Sequence, residues 1–153
     1  MNDLMKNKET AIKFLTEALP HNDVEYVKSV ITPETVTHRA GFAALYDATG
    51  FPIAKDGNFL DWVENGWSIL HGALTDQHVE VKHVVSEGNK VILQFHYNVK
   101  HTGEFAGMPA TGKRIEWDEV AILEFNDQGK ITEMWYMCEE MKVATELGYH
   151  LEK

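Results

Sequence analysis

The sequence predicts an α+β domain in which helices come first and an antiparallel sheet follows. Apolar residues recur with a helical period as far as Gly72 and with a period of two after residue 77. Turn chemistry separates neighbouring β-type runs, as in hairpins. Helices followed by a run of strands place the helices on one face of a curved sheet.

Leu4, Ala11, Ile12, Leu15, Ala18 and Leu19 share one helical face, and Pro20 stops that first helix. Asn22 or Asp23 caps a second helix carrying Val24, Val27 and Ile31 on one side, until Thr32 and Pro33 restart the chain. From Val36 to Asp56 the pattern is irregular and predicts a loop with short helical pieces. Asn58 caps a third helix, with Phe59, Trp62, Val63, Ile69 and Leu70 on one face and Gly72 at its end. Four strands are predicted, over His78–Ser86, Val91–Lys100, Arg114–Phe125 and Ile131–Glu139, rich in Val, Ile and aromatics. Glu87-Gly88-Asn89-Lys90 and Asn126-Asp127-Gln128-Gly129 supply two turns, so the sheet reads as a meander. No repeat or linker interrupts the chain, and residues 1–153 read as one domain.

Composition narrows the function classes. The 153 residues are 44% apolar and 25% charged, which suits a folded protein with a core. Twenty-four acidic residues against 14 scattered basic ones give a charge of −10. A nucleic-acid partner, which needs a basic face, is not expected, nor is an anionic membrane surface. The first residues lack an apolar leader-like core, and no apolar run is long enough to span a bilayer, so a cytoplasmic location is expected. The lone cysteine, Cys138, reads as a small buried hydrophobe in a strand. None of the eight histidines falls into a metal-binding spacing, and no metal is expected. The glycines of residues 103–112 match neither phosphate-binding pattern, and no strand-to-helix step surrounds them. They read as turn-makers across the mouth of a pocket.

The most distinctive stretch is HTGEFAGMPATGK, residues 101–113, a glycine-punctuated loop between two strands. It resembles the THTGxFxGxPPTGK loop of the SnoaL-like polyketide cyclase family. Asp127-Gln128-Gly129-Lys130-Ile131-Thr132-Glu133-Met134-Trp135 is similar to that family's DGKIVEHW, and Glu146-Leu147-Gly148 to its closing QLG. Leu74-Thr75-Asp76 stands where the family often has FPD, and Val36-Thr37-His38 where it has VxH at the pocket mouth. The resemblance implies a nuclear transport factor 2-like cone: a curved, mixed but mainly antiparallel sheet with the N-terminal helices on its concave face. It also implies a small apolar organic ligand, no cofactor, and a homodimer formed through the outer face of the sheet.

In that family a carboxylate lies four residues after the tryptophan of HW, a position held here by Glu139. Along a strand Trp135, Met137 and Glu139 share one side, so a pocket placement would set the carboxylate between an aromatic and a thioether and raise its pKa. The other placement leaves Glu139 solvated at the strand end, beside Glu140 at the start of a C-terminal helix. Glu119 shares parity with Trp117 and Leu123, an acid on an otherwise apolar stripe; it either joins the pocket or pairs at the surface. Tyr136, on the opposite face from Glu139, reads as packed at a sheet interface. Either His96 and Asn98 or Phe95 and Tyr97 face the cavity.

The candidate catalytic set is therefore Glu139, His38 and Glu119. The candidate ligand-binding set is Trp135, Met137, Trp117, Phe105, Met108 and Trp62. The function implied is cofactor-free acid/base chemistry, an aldol cyclisation or isomerisation, on an apolar carbonyl or ester. The alternative is a ligand-binding or dimerisation module of the same fold without chemistry.

Overall fold

The amphipathic stripe of the first segment forms the helix it predicts. In the computed structural model, which describes residues 3–39, 41–53, 56–65 and 67–153, helix α1 (Leu4–Lys13) starts at Asp3. The Asp3 side chain accepts from the Lys6 amide at 3.0 Å. The helix continues directly into a π-helical turn over Phe14–Ala18. Ala11, Phe14, Leu15 and Ala18 are buried, and they join Leu93, Phe95, Leu123 and Ile131 of the sheet in one core cluster. Asp23 caps α2 (Val24–Val30), accepting from the Tyr26 amide at 3.1 Å.

Here the structure departs from the four-strand expectation. Ile31 does not continue α2 but opens a strand, β1 (Ile31–Thr37), which runs parallel to the last long strand. Pro33 cannot donate to a ladder, and the strand accommodates it where the register shifts between Ile31 and Val36. Within that irregularity Thr35 Oγ1 accepts from the Thr32 amide at 2.8 Å and donates to the Ile131 carbonyl at 2.7 Å, so the buried backbone remains paired.

Helix α3 (Ala43–Thr49) and the two-residue strand β2 (Gly57–Asn58) supply the short pieces of the irregular region. Ala40, Ala54 and Lys55 of that region lie outside the described residues. The third predicted helix is present as two, α4 (Phe59–Asn65) and α5 (Trp67–Ala73), with Gly66 between them outside the described residues. Asn58 Oδ1 accepts from the Asp61 amide at 3.0 Å, as the predicted cap should.

Strands β3 (Leu74–Glu87), β4 (Lys90–His101), β5 (Arg114–Phe125) and β6 (Ile131–Cys138) form the antiparallel meander. The sheet order is β2-β1-β6-β5-β4-β3, so the whole is a mixed, open, curved sheet of six strands. A final helix, α6 (Glu140–Leu147), follows. Burial alternates along β5: Ile115, Trp117, Glu119, Ala121, Leu123 and Phe125 face the helices, while Glu116 and Val120 face out.

The glycine-rich loop 101–113 is a buttress and not a rim. Phe105 is wholly buried among Phe42, Tyr46 and Phe51, and Tyr149 Oη donates to the Ala106 carbonyl at 2.7 Å. Gly103 lies against the end of α5, where a Cβ would stand 2.7 Å from the Gly72 carbonyl oxygen and 3.1 Å from the Ala73 Cα. Backbone atoms cannot yield to it, so Gly103→Ala should cost about 1–3 kcal/mol. Thermal unfolding read by circular dichroism should show that loss as a drop of roughly 3–10 °C in Tm.

Candidate functional site

The helices do not close fully on the sheet. They leave a cavity of about 110 Å³ whose floor is β4, β5 and β6 and whose cover is α4, α5 and the chain entering α3. Tyr97, Trp117, Glu119 and Tyr136 line it from the sheet, Trp62, Leu70 and His71 from the helices, and Gly41, Phe42 and Tyr46 from the entry to α3.

The parity question is thereby answered. Phe95 and Tyr97 face the helices, and Tyr97 stacks on Trp117 with ring centres 4.7 Å apart and planes 11° apart. His96 is on the outer face, between Asp118 at 2.8 Å and Glu116 at 3.1 Å. On β6 a register shift between Glu124 and Phe125 turns Met134 and Tyr136 inward, and the Tyr136 hydroxyl donates to Met134 Sδ at 3.1 Å. Tyr136 is thus part of the cavity, where the sequence suggested a sheet interface.

Glu119 is the chemically singular residue of this space. It is 7% exposed, and its Oε1 accepts from Trp117 Nε1 at 3.0 Å. Burial pushes its carboxyl up from 4.5 to about 7; the Trp117 hydrogen bond and Arg39 oppose the rise, and Glu140 adds to it. Burial raises the Tyr46, Tyr97 and Tyr136 phenols, which stay protonated, and lowers His71, which is held neutral. Cys138 lies nearby, its thiol pushed up by burial and donating to the Gly41 carbonyl at 2.8 Å.

The chain over Glu119 is held by an ion pair that the motif reading missed. Arg39 pairs with Glu140, and its Nη1 donates to the carbonyls of Tyr136 at 3.0 Å and Gly41 at 3.3 Å. Glu140 also accepts from the Leu45 amide at 2.7 Å, so one carboxylate ties β6, α6 and the start of α3 together. This latch brings Gly41 so close that a Cβ there would stand 2.8 Å from Glu119 Oε2. Gly41→Ala should therefore displace the Glu119 carboxyl while costing the fold no more than about 2 kcal/mol. A shift on the order of 1 Å at a working group corresponds to about 100-fold in rate. Turnover measured beside a melting curve separates the two effects.

Of the nine residues singled out from the sequence, the structure brings Glu119, Trp117 and Trp62 to the cavity. It does not bring Glu139 there. Trp135, Met137 and Glu139 do share one side, but it is the outer one: Met137 is 64% exposed, and Glu139, itself exposed, accepts from the Asp118 amide at 2.7 Å at the entry to α6. A carboxylate pair of Glu119 with Glu139 is excluded because the sheet lies between them. His38 is also outside, stacked on Trp135 at 4.6 Å with its Nε2 2.7 Å from Glu133 Oε2. Phe105 and Met108 pair with each other in the buttress and do not line the cavity. Among the described residues no group of three or more His, Cys, Asp or Glu side chains could hold a metal ion. No described helix is long and apolar enough to cross a membrane.

A curved mixed sheet enclosing an apolar cavity with one buried carboxyl defines a small-molecule pocket protein of the nuclear transport factor 2-like class. Residues 60–147 match the SnoaL-like polyketide cyclases, and the chain belongs to that family. Solved structures agree on the fold. AclR, a proposed hydroxylase from Streptomyces galilaeus, superimposes with a TM-score of 0.77 at 22% identity, over 99% of this chain and 86% of its own. IdmH, a proposed polyketide cyclase from Streptomyces antibioticus, gives 0.75 at 25% identity, over 94% and 99%. An epoxide hydrolase from M. tuberculosis gives 0.68 at 14% identity, over 95% and 92%. No curated protein matches the sequence at comparable significance.

Proposed function

We propose that this protein is a cofactor-free pocket enzyme in which Glu119 carries out acid/base chemistry on an apolar carbonyl or ester compound. The observation that carries the reading is the coincidence of cavity and titration: a carboxyl that lines the cavity, Glu119, is raised to about 7. A base is most effective when its pKa lies near the working pH. Its ionised form takes a proton from the carbon beside a carbonyl, the C–H electrons pass into an enolate, and the protonated carboxyl returns the proton at a new position or after ring closure. Trp117 Nε1 holds Oε1, which leaves Oε2 for the transfer. Aldol cyclisation and isomerisation both follow this sequence, and family membership supports either.

Deuterium uptake at the α-carbon of cyclohexanone, followed by proton NMR, tests the proposal without knowledge of the physiological substrate. Exchange should exceed that of buffer, fall to the buffer rate in Glu119→Gln, and persist in Glu139→Gln. Loss in Glu139→Gln with retention in Glu119→Gln would return the role to the outer carboxylate.

The homodimer implied by the family has its own support on the outer face. The strand register sets Val85, Ile92, Ile122 and Trp135 in one row across four strands, with Val120 opposite Met137 beside it. Val85, Ile92, Val120 and Met137 are all exposed. A continuous apolar stripe on a sheet face suits burial against a second copy. Light scattering should give twice the chain mass, and Ile122→Asp should halve it; a monomeric wild type would refute the dimer.

A further inference from the structure

The cavity fixes the size and charge of what enters it. Its volume of about 110 Å³ is of the order of the roughly 150 Å³ apolar cavity that holds one benzene ring, and well below the roughly 300 Å³ at which pockets for drug-sized ligands begin. Its walls are mainly aromatic and aliphatic: Phe42 packs edge-on against Trp117 with ring centres 5.1 Å apart, and Phe59 and Leu70 also line the space. No lysine or arginine is among its described lining residues. Arg39, the nearest cation the site uses, spends its charge on Glu140. An anionic ligand would lose its hydration and find no counter-charge, beside a carboxyl that is itself ionised in part. A neutral ligand with one acceptor oxygen meets a carboxylic acid whose Oε1 already accepts from Trp117 and whose Oε2 lies close against Gly41.

We infer that the ligand of this cavity is a neutral carbonyl compound of single-ring size, its oxygen against Glu119 and its ring between Trp117 and Trp62. The inference rests on the Glu119 reading for the position of the carbonyl, whereas the size and charge limits rest on the cavity itself. Multi-ring compounds and carboxylates of the same ring size are excluded.

Binding by the full chain tests this directly. At pH 6.5, cyclohexanone, cyclohexanecarboxylate and the three-ring ketone anthrone are titrated against the ¹⁵N-labelled protein. The indole N–H signals of Trp62 and Trp117 and the amide of Gly41 are followed. Cyclohexanone should move all three and bind at least tenfold more tightly than either competitor. Equal or tighter binding of anthrone or of the carboxylate overturns the inference, and so does cyclohexanone binding that leaves the three signals unmoved or no binding at all. The Glu119→Gln variant keeps the two readings apart. If cyclohexanone binds wild type and variant and deuterium uptake is unaffected, acid/base catalysis by Glu119 fails while the ligand class stands. If uptake depends on Glu119 but anthrone binds best, the ligand class fails alone.

Discussion

Glu119→Gln is expected to make the protein more stable at pH 8 and catalytically inert. In the folded state the carboxyl titrates at about 7, against 4.5 as its ordinary value. Between those two pH values the folded chain binds more protons than the unfolded one, so wild-type stability falls as pH rises through this window and the loss is complete above pH 8. A shift of that size amounts to about 3 kcal/mol. Glutamine has no such titration and keeps an oxygen for the Trp117 indole, so the stability gap between variant and wild type should widen in the variant's favour from pH 4.5 to pH 8. For a chain of this length the widening corresponds to about 6–12 °C in Tm. At pH 8, where the wild-type carboxyl is ionised, the α-proton exchange rate should drop by roughly 10²–10⁴-fold in the variant, the range that a positioned base contributes. A gap that stays constant with pH would mean that Glu119 is solvated. Such opposition between stability and activity is expected where a polar group is buried for its chemistry.

Glu140→Ala should be the most damaging single change outside the apolar core. It removes the carboxylate that pairs with Arg39 and leaves the buried Leu45 amide without an acceptor. Both side chains of the pair are largely covered, at 29% and 15% exposure, so the loss should fall at about 2–4 kcal/mol, short of the value for a wholly buried pair. The chain carrying Gly41 and Phe42 is held by the same carboxylate, and it should loosen before the sheet does. Hydrogen exchange should show the amides of residues 41–46 opening first while those of β4 and β5 remain protected. Uniform loss of protection would mean that the latch is part of global stability alone.

Much of the fold was legible because periodicity is a physical signature of burial. The change of period near residue 77 and the two turns placed the meander, and the loop and the GKI stretch placed the family. Strand β1 was not legible, because Pro33 speaks against a strand unless its missing donor falls at a break in the ladder, which the sequence does not display. The site was legible in kind more than in place. An acid within an apolar stripe pointed to Glu119, whereas the family spacing pointed to Glu139. Parity alone allows either face, and the burial of Trp117, Ala121 and Leu123 decides which one is enclosed. The inward turn of Tyr136 depends on a bulge, and the Arg39–Glu140 pair joins residues 101 positions apart; neither leaves a local signal. His71 and Gly41 carry no pattern either, since both matter only through what folds against them.

The proposed chemistry depends on one property, the enclosure of the Glu119 carboxyl. Carbon-detected NMR of the side-chain carboxyls, titrated from pH 3 to pH 9 with Glu119→Gln to assign the signal, measures it directly. One resonance, absent from the variant, should titrate near 7. If that resonance titrates near 4.5 with the surface acids, the carboxyl is in water and the cavity is not the working site.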